Sequence, residues 1–361
     1  MSDQAVNALL AIVLGTGLAL LLLGPVAAVQ YRRDGRFGLG DLVALVGGAV
    51  YGLALWTYTL LPLPVSVERC AGRQLVPFAS LGDLEWAGPA TMMRDPAFLQ
   101  VVLNVALFVP LGLFVHLILR RGVLATTVLG FAISLLIECT QGTGLWGLYR
   151  CAYRVFDVDD LIANTLGAFL GSVLVALVTR GHGVDARPVP TTISTGRRWT
   201  GMACDAIFVL TVGGVAAIAW RVWQLYVADR SFDELDTTVQ TVLQWGVPGA
   251  IEAAVVLLSG RTIGEAVINV RTESDRRWPL ALARLVKLAT GIGAYVALML
   301  AGFPGSVVVL AAFALVSVVA VPLSDGRRGL SNAAAGLRLV VDSRAGRTRA
   351  TGRRPSGPAA R

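Results

Sequence analysis

Seven polar side chains sit where a very apolar chain tolerates them least. Asn104 lies within QVVLNVALFVPLGLFV, Glu138 and Gln141 close the run SLLIECTQ, and Arg154, Asp157, Asp160 and Asn164 follow in RVFDVDDLIANTLGAFLG. The last four are three, three and four residues apart, which puts them on one helical face if the helix starts early enough to include them. Ser134, Glu138 and Gln141 share a face for the same reason. One arginine facing several carboxylates leaves an excess of negative charge, an arrangement that can hold a cationic or amide-rich group. A second reading is purely structural: Arg154 bridges Asp157 or Asp160, Asn104 and Asn164 bond between helices, and the set is a latch. Interhelical polar bonds in bilayers average around 0.6 kcal/mol, enough to fix packing. Ionisable groups near the centre of a membrane helix cost roughly 2.5–3.5 kcal/mol each, so they pair or serve a function.

The elements that must position these groups follow from composition. The chain is 55% hydrophobic and 15% charged, against roughly 25% charged in soluble domains, and its mean hydropathy is +0.68. Its apolar residues come in long blocks, which predicts an all-α, polytopic membrane protein with about nine transmembrane helices in two bundles. The expected spans are 6–29, 42–61, 98–119, 123–141, 157–178, 204–227, 238–259, 279–301 and 306–323. The first has neither a basic leading region nor a clear cleavage site and is read as a retained helix. Arg32, Arg33 and Arg36 follow it at once, so the positive-inside rule places that loop in the cytoplasm and the N-terminus outside. The same bias holds in every later loop and leaves the C-terminus cytoplasmic. On this topology Pro62–Pro64 stops the second span, and the outer loop 63–97 carries Glu68, Asp83, Glu85 and Asp95. Trp146, Tyr149 and Tyr153 suit an aromatic belt at the outer interface. Both helix ends that carry Glu138 and Asp157 then lie on the external side. Cys70 and Cys151 also fall in outer loops; the alternatives are a disulfide between them or four unrelated cysteines.

The expected organisation is an N-terminal helix and cytoplasmic loop (1–41), a first transmembrane domain (42–180), a Gly-, Pro- and Thr-rich linker (181–196), a second transmembrane domain (197–341) and a disordered basic tail (342–361). The first domain resembles the VanZ-like family of bacterial membrane proteins. The resemblance rests on the N…PLG segment at Asn104, the IE..Q segment at Glu138, and the R..D..D…N..G…G segment from Arg154, all in the family's order. The run Thr59–Pro64 fits the end of that family's first core helix. The resemblance implies an integral membrane protein linked to glycopeptide (teicoplanin) resistance.

The second half is similar to the RDD membrane family, in RRWTGMACDAIFVL, GRTIGEAVINVR and RRGLSNAAAGLRLVV. The matching positions are Arg198, Asp205, the Gly260–Gly264 segment and the Asn332–Gly336 segment. Asn332 stands where that family usually has an acidic residue, and Glu265 where it has lysine. Glu252 follows Gly246, Pro248 and Gly249 within the seventh span, where proline removes a backbone hydrogen bond and a break would place polar backbone beside a carboxylate. Broken helices with an acidic residue suit an ion- or proton-coupled transporter, with Asp205 and Glu252 as the coupling groups. The structural alternatives are a tolerated kink with Glu252 paired to Arg284 or Lys287, and an Arg198–Asp205 ion pair at a helix end.

Other functions are excluded or ranked lower. His116 and His182 have no partner at metal spacing, and the four cysteines contain no CxxC pair, so no metal or cofactor is expected. The net charge of +8 is spread over alternate loops without interleaved aromatics, which argues against nucleic acid. An enzyme acting on a lipid-linked substrate would have carboxylates but no evident nucleophile, metal or phosphate cradle. The leading expectation is a non-enzymatic envelope protein that recognises an amphiphile, a cell-wall lipid precursor or a lipidated glycopeptide antibiotic, at the outer leaflet. Glu138, Arg154, Asp157 and Asp160 would contact its polar groups, with Asn104, Gln141 and Asn164 orienting them.

Overall fold

Long apolar runs in lipid must satisfy every backbone polar group internally, and the helix does so within one segment. The computed structural model describes residues 3–61, 63–65, 67–82, 88–119, 121–180, 190, 192–274 and 279–342. Pro62, Asp83, Glu85, His182, most of the expected linker and the tail after Asp342 lie outside the described residues. The chain forms two compact units. The first comprises Met1–Leu20 and Leu39–Arg187, the second Leu21–Gly38 and Pro188–Arg361, so the first helix, α1 (Asp3–Asp34), contributes to both.

Unit 1 is a bundle of α2 (Leu39–Leu60), α3 (Pro96–Leu119), α4 (Val123–Gly142) and α5 (Val158–Arg180), with the start of α1. Its core is Leu55, Phe108, Leu111, Ile137 and Ala168. Glycine lets α3 and α5 meet backbone to backbone: a Cβ at Gly167 or Gly171 would collide with the Val105 or Val109 carbonyl, and one at Gly112 with the Ala168 carbonyl. Two short strands, β1 (Arg73–Gln74) and β2 (Phe156–Asp157), pair in parallel with Gln74 opposite Asp157. Beside them the Cys70 and Cys151 sulfurs are bonded across 81 residues, and the Ala71 N–H donates to the Ala152 carbonyl at 2.9 Å.

Unit 2 holds α6 (Thr195–Tyr226), α7 (Thr237–Ser259), the short α8 (Ile263–Val267), α9 (Leu280–Ala289), α10 (Ile292–Ala301), α11 (Ser306–Leu323) and the short α12 (Gly329–Ala334). Strands β3 (Val270–Ser274) and β4 (Leu337–Val341) form an antiparallel pair in register from Val270↔Val341 to Ser274↔Leu337. The last part of α1 packs here: Ala27 and Tyr31 join Ile193, Ile268 and Val270 in a buried cluster. Among the described residues eight helices are long and apolar enough to cross a membrane, nine if the bent pair α9–α10 is one span. The protein is an all-α multi-pass membrane protein.

Pro248 is tolerated, and the alternative of a broken helix there is not seen. Helix α7 runs unbroken from Thr237 to Ser259, because proline frees a single carbonyl, that of Gln244 four residues back. That carbonyl lies against Gly213 of α6, so interhelical packing holds the helix together. The break falls in the next span instead, where α9 and α10 are bent by 43°. At Gly291 a Cβ would sit 2.8 Å from the Lys287 carbonyl oxygen and 3.1 Å from the Ser331 Cβ, so the chain turns where only glycine fits.

Candidate ligand site and a second buried polar cluster

A helix ending in an apolar bundle leaves its last carbonyls without donors. At the end of α2 and in the residues just after it, four side chains from α4 and the loop that follows α4 supply donors. Gln141 Nε2 donates to the Thr59 carbonyl at 2.7 Å, and the Tyr153 hydroxyl to Leu60 at 3.3 Å. The Tyr149 hydroxyl donates to Pro64 at 2.8 Å. Arg154 donates through Nη1 to Thr59 at 2.9 Å and through Nη2 to Leu61 at 3.4 Å. The guanidinium therefore serves the negative end of a helix dipole. The expected bridge from Arg154 to Asp157 or Asp160 does not form, because two backbone carbonyls occupy its donors.

The carboxylates turn to neutral donors. Glu138, 2% exposed, accepts the Asp157 N–H at 2.9 Å, so the end of α4 and the start of α5 do meet. Asp157 Oδ1 accepts the Asp159 N–H at 2.8 Å and Gln74 Nε2 at 3.5 Å. Asp160 accepts Gln100 Nε2 at 3.1 Å and Asn104 Nδ2. Asn164 donates to the Ser134 hydroxyl at 3.0 Å, while its buried Oδ1 finds no donor among the described residues. Among the described residues no cation lies within ion-pair distance of Glu138, Asp157, Asp159 or Asp160. Burial pushes the Asp157 carboxyl above its ordinary value; the Asp159 N–H offsets part of that and the Asp159 charge adds to it. Asp157 is half-buried. Four carboxylates thus gather at this end of the bundle with no counter-charge among the described residues.

Three members of this cluster escaped the helical-face reading. Asp159 accepts the Phe78 N–H and, at 2.9 Å, the Ser80 N–H, which holds a turn in which Phe78 has φ 64°. Gln74 reaches both Asp157 and Asp159. Gln100 lies one helical turn before Asn104, and that spacing was the signal available for it.

Unit 2 gathers the other singled-out residues. Glu265, 2% exposed, accepts Arg198 Nη1 at 3.1 Å, Lys287 Nζ at 2.5 Å and Asn332 Nδ2 at 2.8 Å. Burial alone would raise this carboxyl, but Lys287 and Arg198 outweigh it and hold it at about 2. Asp205 accepts the Thr262 hydroxyl at 2.8 Å and the Gly264 N–H, and Glu252 Oε2 accepts the Ile263 N–H at 3.3 Å. The expected Arg198–Asp205 pair does not form, since Arg198 bonds Glu265. Nor does Glu252 pair with Arg284 or Lys287. Arg284 donates to the Leu257 and Leu258 carbonyls, and Lys287 to Glu265 and the Gly260 carbonyl.

The Gln141–Thr59, Glu138–Asp157 and Asn104–Asp160 contacts all lie inside one stretch of chain that matches a known family model, described as VanZ/LLP1, over residues 49–179. This part of the chain is VanZ-like. The VanZ-like segment takes in most of α2, all of α3 and α4, and α5 to within its last residue. It contains the disulfide and every residue of the carboxylate cluster. No curated protein and no solved structure matches the chain.

Proposed function

We propose that the VanZ-like unit is a non-enzymatic component of the bacterial envelope that recognises an amphiphile at the outer leaflet. The polar head of such a molecule would carry a cationic or amide-rich group, as a lipidated glycopeptide antibiotic or a cell-wall lipid precursor does. The observation that carries this reading is the set of carboxylates at one end of the bundle, gathered with no cation among the described residues to neutralise them. In apolar surroundings uncompensated acceptors are costly to keep, and a ligand that supplies donors or positive charge relieves that cost. The cluster's chemistry argues against turnover: its members accept hydrogen bonds, and no activated nucleophile stands among them.

The proposed orientation has the N-terminus outside and the C-terminus in the cytoplasm, with the carboxylate end external. A disulfide beside that end supports it, because disulfides persist on the oxidising side of a membrane. We read the second unit, about 197–341, as a degenerate RDD-like domain. Its support is that Arg198, Asp205, Gly264, Glu265 and Asn332, drawn from the three resembling segments, meet in one cluster.

The test is protection of a susceptible bacterium against a teicoplanin-type lipoglycopeptide. Asp157→Asn and Glu138→Gln should each abolish protection while the protein still inserts in the membrane at its normal level. Wild-type protection by both variants overturns the site.

A further inference from the structure

The centre of unit 2 contains more acceptors than donors. Glu252 is fully buried, and its Oε1 has no hydrogen-bond partner among the described residues. The Asp205 and Glu252 carboxyls converge on the start of α8, where Asp205 accepts the Gly264 N–H and Glu252 the N–H of the adjacent Ile263. Two carboxylates that face each other without a donor between them cannot both stay ionised, because each charge raises the cost of the other. The Asp205 oxygens already take the Thr262 hydroxyl and the Gly264 N–H, and Glu252 Oε2 takes the Ile263 N–H. What is missing is a single hydrogen at Oε1.

The charges around the pair give the same answer. The groups facing it are Glu265 on α8 and Lys287 on α9, with Arg198 on α6 joined through Glu265. The Cys204 thiol is the neighbouring titratable group on α6, and Asn332 on α12 is neutral. Fully ionised, the three acids Asp205, Glu252 and Glu265 against the two cations Arg198 and Lys287 would leave one net negative charge in the buried cluster. One proton brings the cluster to neutrality.

We infer that Asp205 and Glu252 form a binding site for one exchangeable proton, held between two carboxyls inside the membrane-spanning part of unit 2. The half-buried Thr262 hydroxyl is its route to water. It passes its own proton to Asp205 Oδ2 and takes a replacement from a hydronium ion, so an O–H bond forms on the carboxyl as one breaks on hydronium, which leaves water. Unit 2 thus carries the loading step that proton-coupled work requires. This site is independent of ligand recognition by unit 1.

Infrared difference spectroscopy on the full-length protein in lipid vesicles at neutral pH tests this. Wild type should show the stretch of a protonated carboxyl that is missing from Asp205→Asn and Glu252→Gln alike. Each variant removes one negative charge and leaves the cluster neutral without the proton, and either variant that folds, judged by circular dichroism, suffices. The band should also titrate away in wild type as pH rises. A band retained in Asp205→Asn or Glu252→Gln, or no difference between wild type and either variant, overturns the shared proton.

Discussion

Both units bury carboxylates in an apolar bundle, and they satisfy them by opposite means. In unit 1, Glu138, Asp157, Asp159 and Asp160 rely on neutral donors: amide N–H groups, Gln74, Gln100 and Asn104. Its nearby arginine, Arg154, is spent on helix carbonyls. In unit 2 a single carboxylate, Glu265, draws an arginine, a lysine and an asparagine. The first arrangement leaves charge unbalanced among the described residues. The second closes on itself apart from one hydrogen. Burying acidic groups therefore says little about their role until the identity of their donors is known.

The largest effect should come from breaking the closed cluster. Glu265→Gln leaves Arg198 and Lys287 buried without their anion, and should destabilise the protein by about 3–5 kcal/mol, as breaking a buried ion pair does. Thermal melts in detergent micelles measure this. Cys70→Ser should cost about 2–4 kcal/mol, because it frees an 81-residue closure. If unit 1 were held by its polar contacts alone, that loss would be absent from the same melts.

pH should separate the units by sign. Glu265 falls from an ordinary 4.5 to about 2 in the folded protein, so the folded state binds fewer protons there than the unfolded chain. Its stabilisation is full above about 4.5 and disappears as pH falls towards about 2. Asp157 is shifted upward, so its contribution is complete below its ordinary 3.8 and is lost as pH rises through the folded value. Melts across an acid series of Glu265→Gln and Asp157→Asn against wild type should show slopes of opposite sign at these two positions. The smallest effect should be Asn104→Ala, about 0.6 kcal/mol, the scale of one interhelical hydrogen bond in a bilayer. A loss several times larger would mean that unit 1 depends on its polar contacts as heavily as unit 2 does.

The spans were legible because lipid demands long uninterrupted apolar runs, and eight of the nine expected ones stand as single helices. The ninth reads as one run from Pro279 to Ala301 because composition does not register the bend at Gly291. On α4 the helical spacing put Ser134, Glu138 and Gln141 on one buried face, but α5 starts only at Val158, so Arg154 and Asp157 stand before the helix and do not share its face with Asp160 and Asn164. Spacing could not foresee that Arg154 prefers the carbonyls of Thr59 and Leu61, since backbone acceptors leave no mark in side-chain spacing. Glu265 was visible only as a departure from a motif, because its partners Arg198 and Asn332 are each 67 residues away. Strand β4 was hidden in an arginine- and glycine-rich stretch, and its pairing with β3 rests on five residues at each side.

The glycine seam between α3 and α5 has a mechanical consequence. With Gly112, Gly167 and Gly171 pressed on opposing carbonyls, neither helix can roll or slide without a backbone collision. The floor beneath Asp160 and Asn164 is consequently stiff. The turn around Phe78, by contrast, hangs from Asp159 by two amide hydrogen bonds and has no such seam.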